Sequence, residues 1–209
     1  MKARNLGLVA YGPAWRAMQA FNQSRGPQTP DELWLVEHPP VFTLGLAGRR
    51  EHVLDAGAIP VVATDRGGQV TYHGPGQAIA YVLLDLRRSG LGVKEFVRGL
   101  EGAVIDILAS YGIDGARRAG MPGVYVGGAK IAAIGLRIAR GCSYHGVALN
   151  VDADLAPFAR IDPCGYPGLA STRLADLGVR DSIHAVQQRL AASLSRRFAP
   201  RLAEQPSDD

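Results

Sequence analysis

The chain has 209 residues, 20% of them charged, and a net charge of +4. It has room for one sizeable core, and its basic residues are spread out, which argues against a dedicated nucleic-acid binder. Two cysteines make no disulfide framework, and no apolar run approaches the ~18 residues of a membrane span. A soluble, cytoplasmic protein with reduced thiols is the expectation, free of contact with nucleic acid or membrane.

In chain order, Leu6–Tyr11 predicts a short strand closed by Gly12-Pro13, and Ala14–Arg25 a helix on the spacing of Trp15, Met18 and Phe21. Two strand pieces, Leu33–Val36 and Val41–Leu44, flank His38-Pro39-Pro40, with His38 read as structural. A polar, in part helical connector over Arg49–Gly57 leads to a strand at Ile59–Ala63. Next comes Thr64–Gln77, TDRGGQVTYHGPGQ, the densest run of turn formers in the chain. Alone it reads equally as a hairpin with glycine turns or as a ligand wall, since glycine lets backbone approach another group closely. It lacks the Gly-Lys-Ser/Thr end of a phosphate-binding loop.

Gln77–Leu86 predicts another strand, and Val93–Tyr111 a helix with Phe96, Leu100, Val104 and Ile107 on one face and Gly112 past its end. Gly127-Gly128 between Val124–Val126 and Lys130–Ile138 signals a tight hairpin, with Ser143–Val151 as the third strand of a meander. Asp154–Asp162 reads as irregular, Leu169–Leu177 as a short helix, and Asp181 or Ser182 as the cap of a final helix. Residues 205–209 read as a polar tail. These elements predict one mixed α/β (α+β) domain over residues 1–209, with a largely antiparallel sheet and flanking helices.

Among 23 basic residues only three are lysines, Lys2, Lys94 and Lys130. Arginine holds its proton near neutrality, whereas a desolvated lysine can release it, so Lys130 on an apolar strand is a candidate proton carrier; a strand-end lysine reaching water is the competing reading. Cys164 lies in Pro163-Cys164-Gly165, a loop that can present a thiolate to substrate if a cation stands nearby, although a lone cysteine is more often a small buried hydrophobe. Cys142 and His145 make a C-x-x-H without a partner pair, and no metal site is assigned. His73 and His145, each followed by glycine, are candidate proton carriers or structural histidines.

Arg66–Gln77, GGAKIAAIGLRI at 127–138, SYHGVALNV at 143–151 and the Pro163-Cys164-Gly165 loop, in this order, resemble the lipoyl(octanoyl) transferases. The likeness takes in Val41–Gly45 and spans most of the chain. It implies the fold of the lipoate and biotin protein ligases, with Cys164 and Lys130 catalytic. It further implies substrate-binding residues Arg66, Gly67, Gly68, Gln69, Val70, Thr71, Tyr72 and His73, then Ala133, Ile134 and Gly135, and Gly146, Val147 and Ala148. No cofactor is implied, and the enzyme is expected to be a monomer. The implied donor is octanoyl-acyl carrier protein, and the implied acceptors are the lipoyl domains of 2-oxoacid dehydrogenases and the glycine cleavage H protein. Tyr125 and Val147 depart from the expected residue types. The rival readings are an ATP-dependent lipoate or octanoate ligase of the same fold, which has no need of Cys164; a cysteine hydrolase; and a basic binding module without chemistry.

Overall fold

The computed structural model describes residues 1–162 and 168–199. Ten strands are found there, β1 Lys2–Leu8, β2 Glu32–Glu37, β3 Val41–Leu44, β4 Val61–Ala63, β5 Val70–His73, β6 Gln77–Leu83, β7 Ala116–Arg118, β8 Met121–Val126, β9 Ala129–Ala139 and β10 Cys142–Asn150. Seven make one sheet in the order β1-β2-β6-β10-β9-β8-β7, parallel at β1–β2 and antiparallel elsewhere. The other three form a small sheet, β4-β3-β5. Three α-helices accompany them, α1 Tyr11–Ser24, α2 Val93–Ser110 and α3 Ile183–Arg197.

The central strand β6, QAIAYVL, is buried at every position, which is why it reads as an unbroken apolar run with no alternation. Its odd and even residues serve two cores. Ala78, Ala80 and Val82 join Leu33 and Leu35 of β2 and Val147 and Leu149 of β10 beneath α2 and α3. Ile79, Tyr81 and Leu83 join Trp34, Tyr144 and Ala148 on the opposite face, where Ala14 and Met18 of α1 cover them. A third cluster, Phe42, Val70, Tyr72 and Ile161, fills the small sheet.

The mixed, largely antiparallel sheet with flanking helices matches the sequence-based expectation, with local differences. Helix α1 begins at Tyr11, not Ala14, because Pro13 falls in the first turn, where its missing N–H has no helical partner to lose. The connector holds only a 3₁₀ turn at Arg50–His52, and the short helix before α3 is a 3₁₀ turn at Leu174–Leu177. Ala156–Arg160, read as irregular, is a further 3₁₀ turn opened by Pro157. Ser182 caps α3 by accepting the Ala185 N–H at 3.2 Å, while the Asp181 carboxylate takes the Tyr111 hydroxyl and the Arg189 guanidinium. Tyr72 lies within β5, so Thr64–Gln77 is a loop, a strand of the small sheet and a turn into β6. Among the described residues no helix is long and apolar enough to cross a membrane.

Candidate active site

A cleft opens between the small sheet and the α1 face of the large one. Its wall on the small-sheet side is Arg66, Gly68, Gln69, Val70, Thr71 and His73; the opposite wall is Ala133, Ile134, Gly135, Gly146, Val147 and Ala148. Lys130 lines it as well, as do Tyr11, Ile79, Tyr81, His145, Phe158, Leu169 and Ser171. Segments far apart in sequence are thus brought onto one cavity. Two of the residues implied by resemblance stand elsewhere. The Tyr72 ring packs between Phe42 and Phe158 in the small-sheet core, and Gly67 ties its N–H to the Leu136 carbonyl at 2.7 Å. Cys164 lies outside the described residues.

Arg66 ties the glycine-rich wall to β3 and to itself. Its guanidinium donates to the Thr43 carbonyl at 2.6 Å, the Thr43 hydroxyl at 2.8 Å, the Gln69 carbonyl at 2.8 Å and the Gly67 carbonyl at 3.0 Å. Gly135 lies under this wall: a Cβ there would stand 2.9 Å from Arg66 Cδ and 3.3 Å from the Gly67 carbonyl oxygen. Only glycine lets β9 approach the wall so closely.

Asp65 anchors the same loop from the other side. Its carboxylate accepts Trp15 Nε1–H at 2.8 Å and Gln19 Nε2–H at 3.1 Å from α1, and the Tyr144 hydroxyl and His145 Nε2–H, the latter at 3.0 Å, from β10. Burial would raise this carboxyl, but the four donors outweigh it and hold it well below the usual carboxylate range. Neighbours on a strand ordinarily point to opposite faces; Tyr144 and His145 both reach Asp65 because His145 has φ of 63°. Nothing in the local sequence announces that kink.

Lys130 reaches the cleft by a bulge. Val124 pairs with Ala132 but Tyr125 pairs with Lys130, so β9 carries one extra residue at Ile131. On a regular strand Lys130 and Ala133, three apart, would face opposite ways; the extra residue lets both line the cavity while Ile131 enters the core. Lys130 is only 8% exposed, and its ammonium lies 5.4 Å from the Tyr125 ring centroid. Its backbone is pinned by the extended segment around Ser171: Lys130 N–H donates to the Ala170 carbonyl at 2.8 Å, and Thr172 N–H to the Lys130 carbonyl at 3.0 Å. Gly123, at φ of 137°, leaves the room the lysine occupies, since a Cβ there would meet Lys130 Cε at 3.1 Å and the Ala132 carbonyl at 2.6 Å.

The aromatic and imidazole side of the cavity was only partly foreseen. His38 is fully buried, as a structural histidine should be, and Tyr11 stacks on His73 with ring centroids 6.2 Å apart. Tyr11 and Tyr81 were missed because each lies in an apolar run and reads as core; no sequence signal separates them from it. Cys142, at the start of β10, does not line this cavity, whereas His145 does.

Residues 10–195 match the lipoyl protein ligase A/B catalytic domain. An octanoyltransferase of Thiobacillus denitrificans is 62% identical over 193 residues, covering 92% of this chain and 88% of the relative. The chain belongs to the octanoyltransferases of the lipoyl protein ligase A/B family. Another family member, the octanoyltransferase of Laribacter hongkongensis, is 58% identical over 95% of this chain and 96% of its own length. The family fold reaches further. A putative lipoate protein ligase from T. acidophilum with bound lipoic acid superposes with a TM-score of 0.77 at 18% identity, over 94% of this chain and 86% of that one. A biotin protein ligase from Aquifex aeolicus in complex with biotin and ATP gives 0.56 at 11% identity, over 94% and 70%.

Proposed function

We propose that the chain transfers an octanoyl group from octanoyl-acyl carrier protein to a lysine of a lipoyl domain, through a thioester on Cys164. The observation that carries this reading is the placement of Lys130, a buried lysine in an arginine-rich chain, on an apolar cleft and bridged through its backbone to Ser171, seven residues after Cys164 in sequence.

In the first step the Cys164 thiolate attacks the thioester carbonyl of the donor. The carbon–sulfur bond to the carrier's thiol breaks, and the leaving thiolate takes from the Lys130 ammonium the proton given up by Cys164, which leaves Lys130 neutral. The Lys130 ammonium favours the thiolate. In the second step the amine of the acceptor lysine attacks octanoyl-Cys164, Lys130 takes the amine proton, and Cys164 leaves as thiolate while the amide forms. One thioester replaces another and an amide replaces a thioester, so no nucleotide is consumed. The acyl chain lies along Ile79, Ala133, Ile134, Val147 and Ala148, with backbone of Gly135 and Gly146 close to it. The acceptors are lipoyl domains of 2-oxoacid dehydrogenases and the glycine cleavage H protein, the enzyme acting as a cytoplasmic monomer of one domain.

The test is a mixture of purified protein, octanoyl-acyl carrier protein and a lipoyl domain without ATP. An added octanoyl mass on the lipoyl domain is expected. Modification only from free octanoate with ATP would instead make the chain a ligase.

A further inference from the structure

Around His73, Tyr81 and His145 the direction of each hydrogen bond is fixed by groups that only accept. Asn150 Nδ2 donates to the Thr172 carbonyl at 2.9 Å, so Asn150 Oδ1 faces Gln77 and receives its Nε2–H at 2.9 Å. Gln77 Nε2 also donates to the Tyr72 carbonyl, which leaves Gln77 Oε1 as acceptor for His73 Nδ1–H at 3.1 Å. His73 is neutral, its pKa pushed down to about 3 by burial, so Nε2 carries only a lone pair. His38 Nδ1–H donates to the Val9 carbonyl; His38 is also kept neutral by burial, so its Nε2 accepts the Tyr81 hydroxyl at 2.6 Å. The Tyr81 proton is thereby spent and its oxygen can only accept. His145 gives Nε2–H to Asp65, and its Nδ1 is likewise an acceptor.

Three cavity-lining side chains, His73, Tyr81 and His145, thus have acceptor capacity left and no donor. A plain octanoyl chain offers these three acceptors nothing. A hydroxyl offers them a donor, and a hydrogen bond made in a low-dielectric cavity is stronger than one made in bulk water. We propose that the acyl cavity takes medium chains carrying a hydroxyl, the hydroxyl donating to Tyr81 Oη or His73 Nε2. This extends the proposed octanoyl transfer and rests on the acyl chain occupying this cavity. The chemistry of transfer is unchanged; the substrate class widens to hydroxyacyl thioesters.

The experiment compares 7-hydroxyoctanoyl with 7-oxo-octanoyl carrier protein, two chains of one skeleton that differ in possessing a donor, with plain octanoyl-carrier protein alongside. At least a tenfold higher kcat/KM for the hydroxyl chain is expected in the native protein. That ratio should fall toward one in Tyr81→Phe and in His73→Phe, and either variant alone suffices if the other does not fold. Equal or poorer use of the hydroxyl chain by a protein that transfers plain octanoyl would overturn the proposal while leaving octanoyl transfer intact. A ratio unchanged in both variants would overturn the assignment to these two acceptors. No transfer of plain octanoyl would instead overturn the proposed function.

Discussion

His145 and Asp65 are joined by a 3.0 Å hydrogen bond that ties the middle of β10 to the loop forming the opposite wall of the cleft. The bond exists because His145 departs from strand geometry, at φ of 63°, and so shares a carboxylate with its neighbour Tyr144. Sheet, loop and α1 meet at this one side chain, since Trp15 and Gln19 reach it as well.

Asp65→Asn puts an N–H₂ where donors already converge. Hydrogen bonds to a carboxylate are among the stronger ones, and stranded partners cost more, so a loss of about 2–4 kcal/mol is expected. Urea unfolding would show it as a lower midpoint at unchanged slope. A midpoint within error of the native protein would mean the network does not hold the wall.

Lys130→Arg keeps the charge but not a releasable proton, and it asks a longer side chain to fit against Gly123. Octanoyl transfer to the lipoyl domain should drop at least ~100-fold, the scale of a lost general base. Steady-state rates decide it, and near-native turnover would remove Lys130 from the proton-transfer step.

Gly135→Ala pushes a methyl against Arg66 Cδ, 2.9 Å from the ideal Cβ, in a guanidinium already fixed by several bonds. The wall must shift into the cleft. A roughly tenfold rise in KM for the acyl donor is expected, about 1.4 kcal/mol of binding. An unchanged KM would show that the acyl chain does not run past this point.

Acid should weaken the fold in a defined window. Burial lowers the proton affinity of His38, His73 and His145, the last despite its Asp65 partner, so the unfolded chain, with histidines near about 6.5, takes up protons first. Their contribution is therefore complete above about pH 6.5 and is lost as pH falls from there toward the folded values, with a slope of up to ~1.4 kcal/mol per pH unit for each. Asp65 acts lower: its depressed carboxyl contributes above the ordinary carboxylate range, near about 3.9, and is lost below it. Urea midpoints should be level from pH 8 to 7 and fall from 6.5 to 5, less steeply in His73→Phe. A level midpoint down to pH 5 would contradict the buried neutral histidines.

Much of this architecture could be read from residue patterns, for physical reasons that differ by element. Helix α2 is legible because Phe96, Leu100, Val104 and Ile107 recur at the helical period and all four are buried. The β8–β9 hairpin is legible because Gly127 and Gly128, at φ of 54° and 89°, occupy a turn that needs positive φ. The bulge at Ile131 and the kink at His145 are not, because each depends on what the neighbouring strand and the Asp65 loop offer, and no local rule encodes that. The cleft is legible as segments, since glycine-rich runs mark close approach. Its imidazole and phenol side is not: Tyr11 and Tyr81 look like core, and only the fold sets them around His38 and His73.

Cys164 is proposed to carry the octanoyl group between donor and acceptor. Intact-mass measurement of the full chain after incubation with octanoyl-acyl carrier protein, with no lipoyl domain present, tests it most directly. One octanoyl adduct on Cys164 is expected, absent in Cys164→Ser and discharged when the lipoyl domain is added. An unmodified protein that nevertheless transfers octanoyl to the lipoyl domain would contradict it.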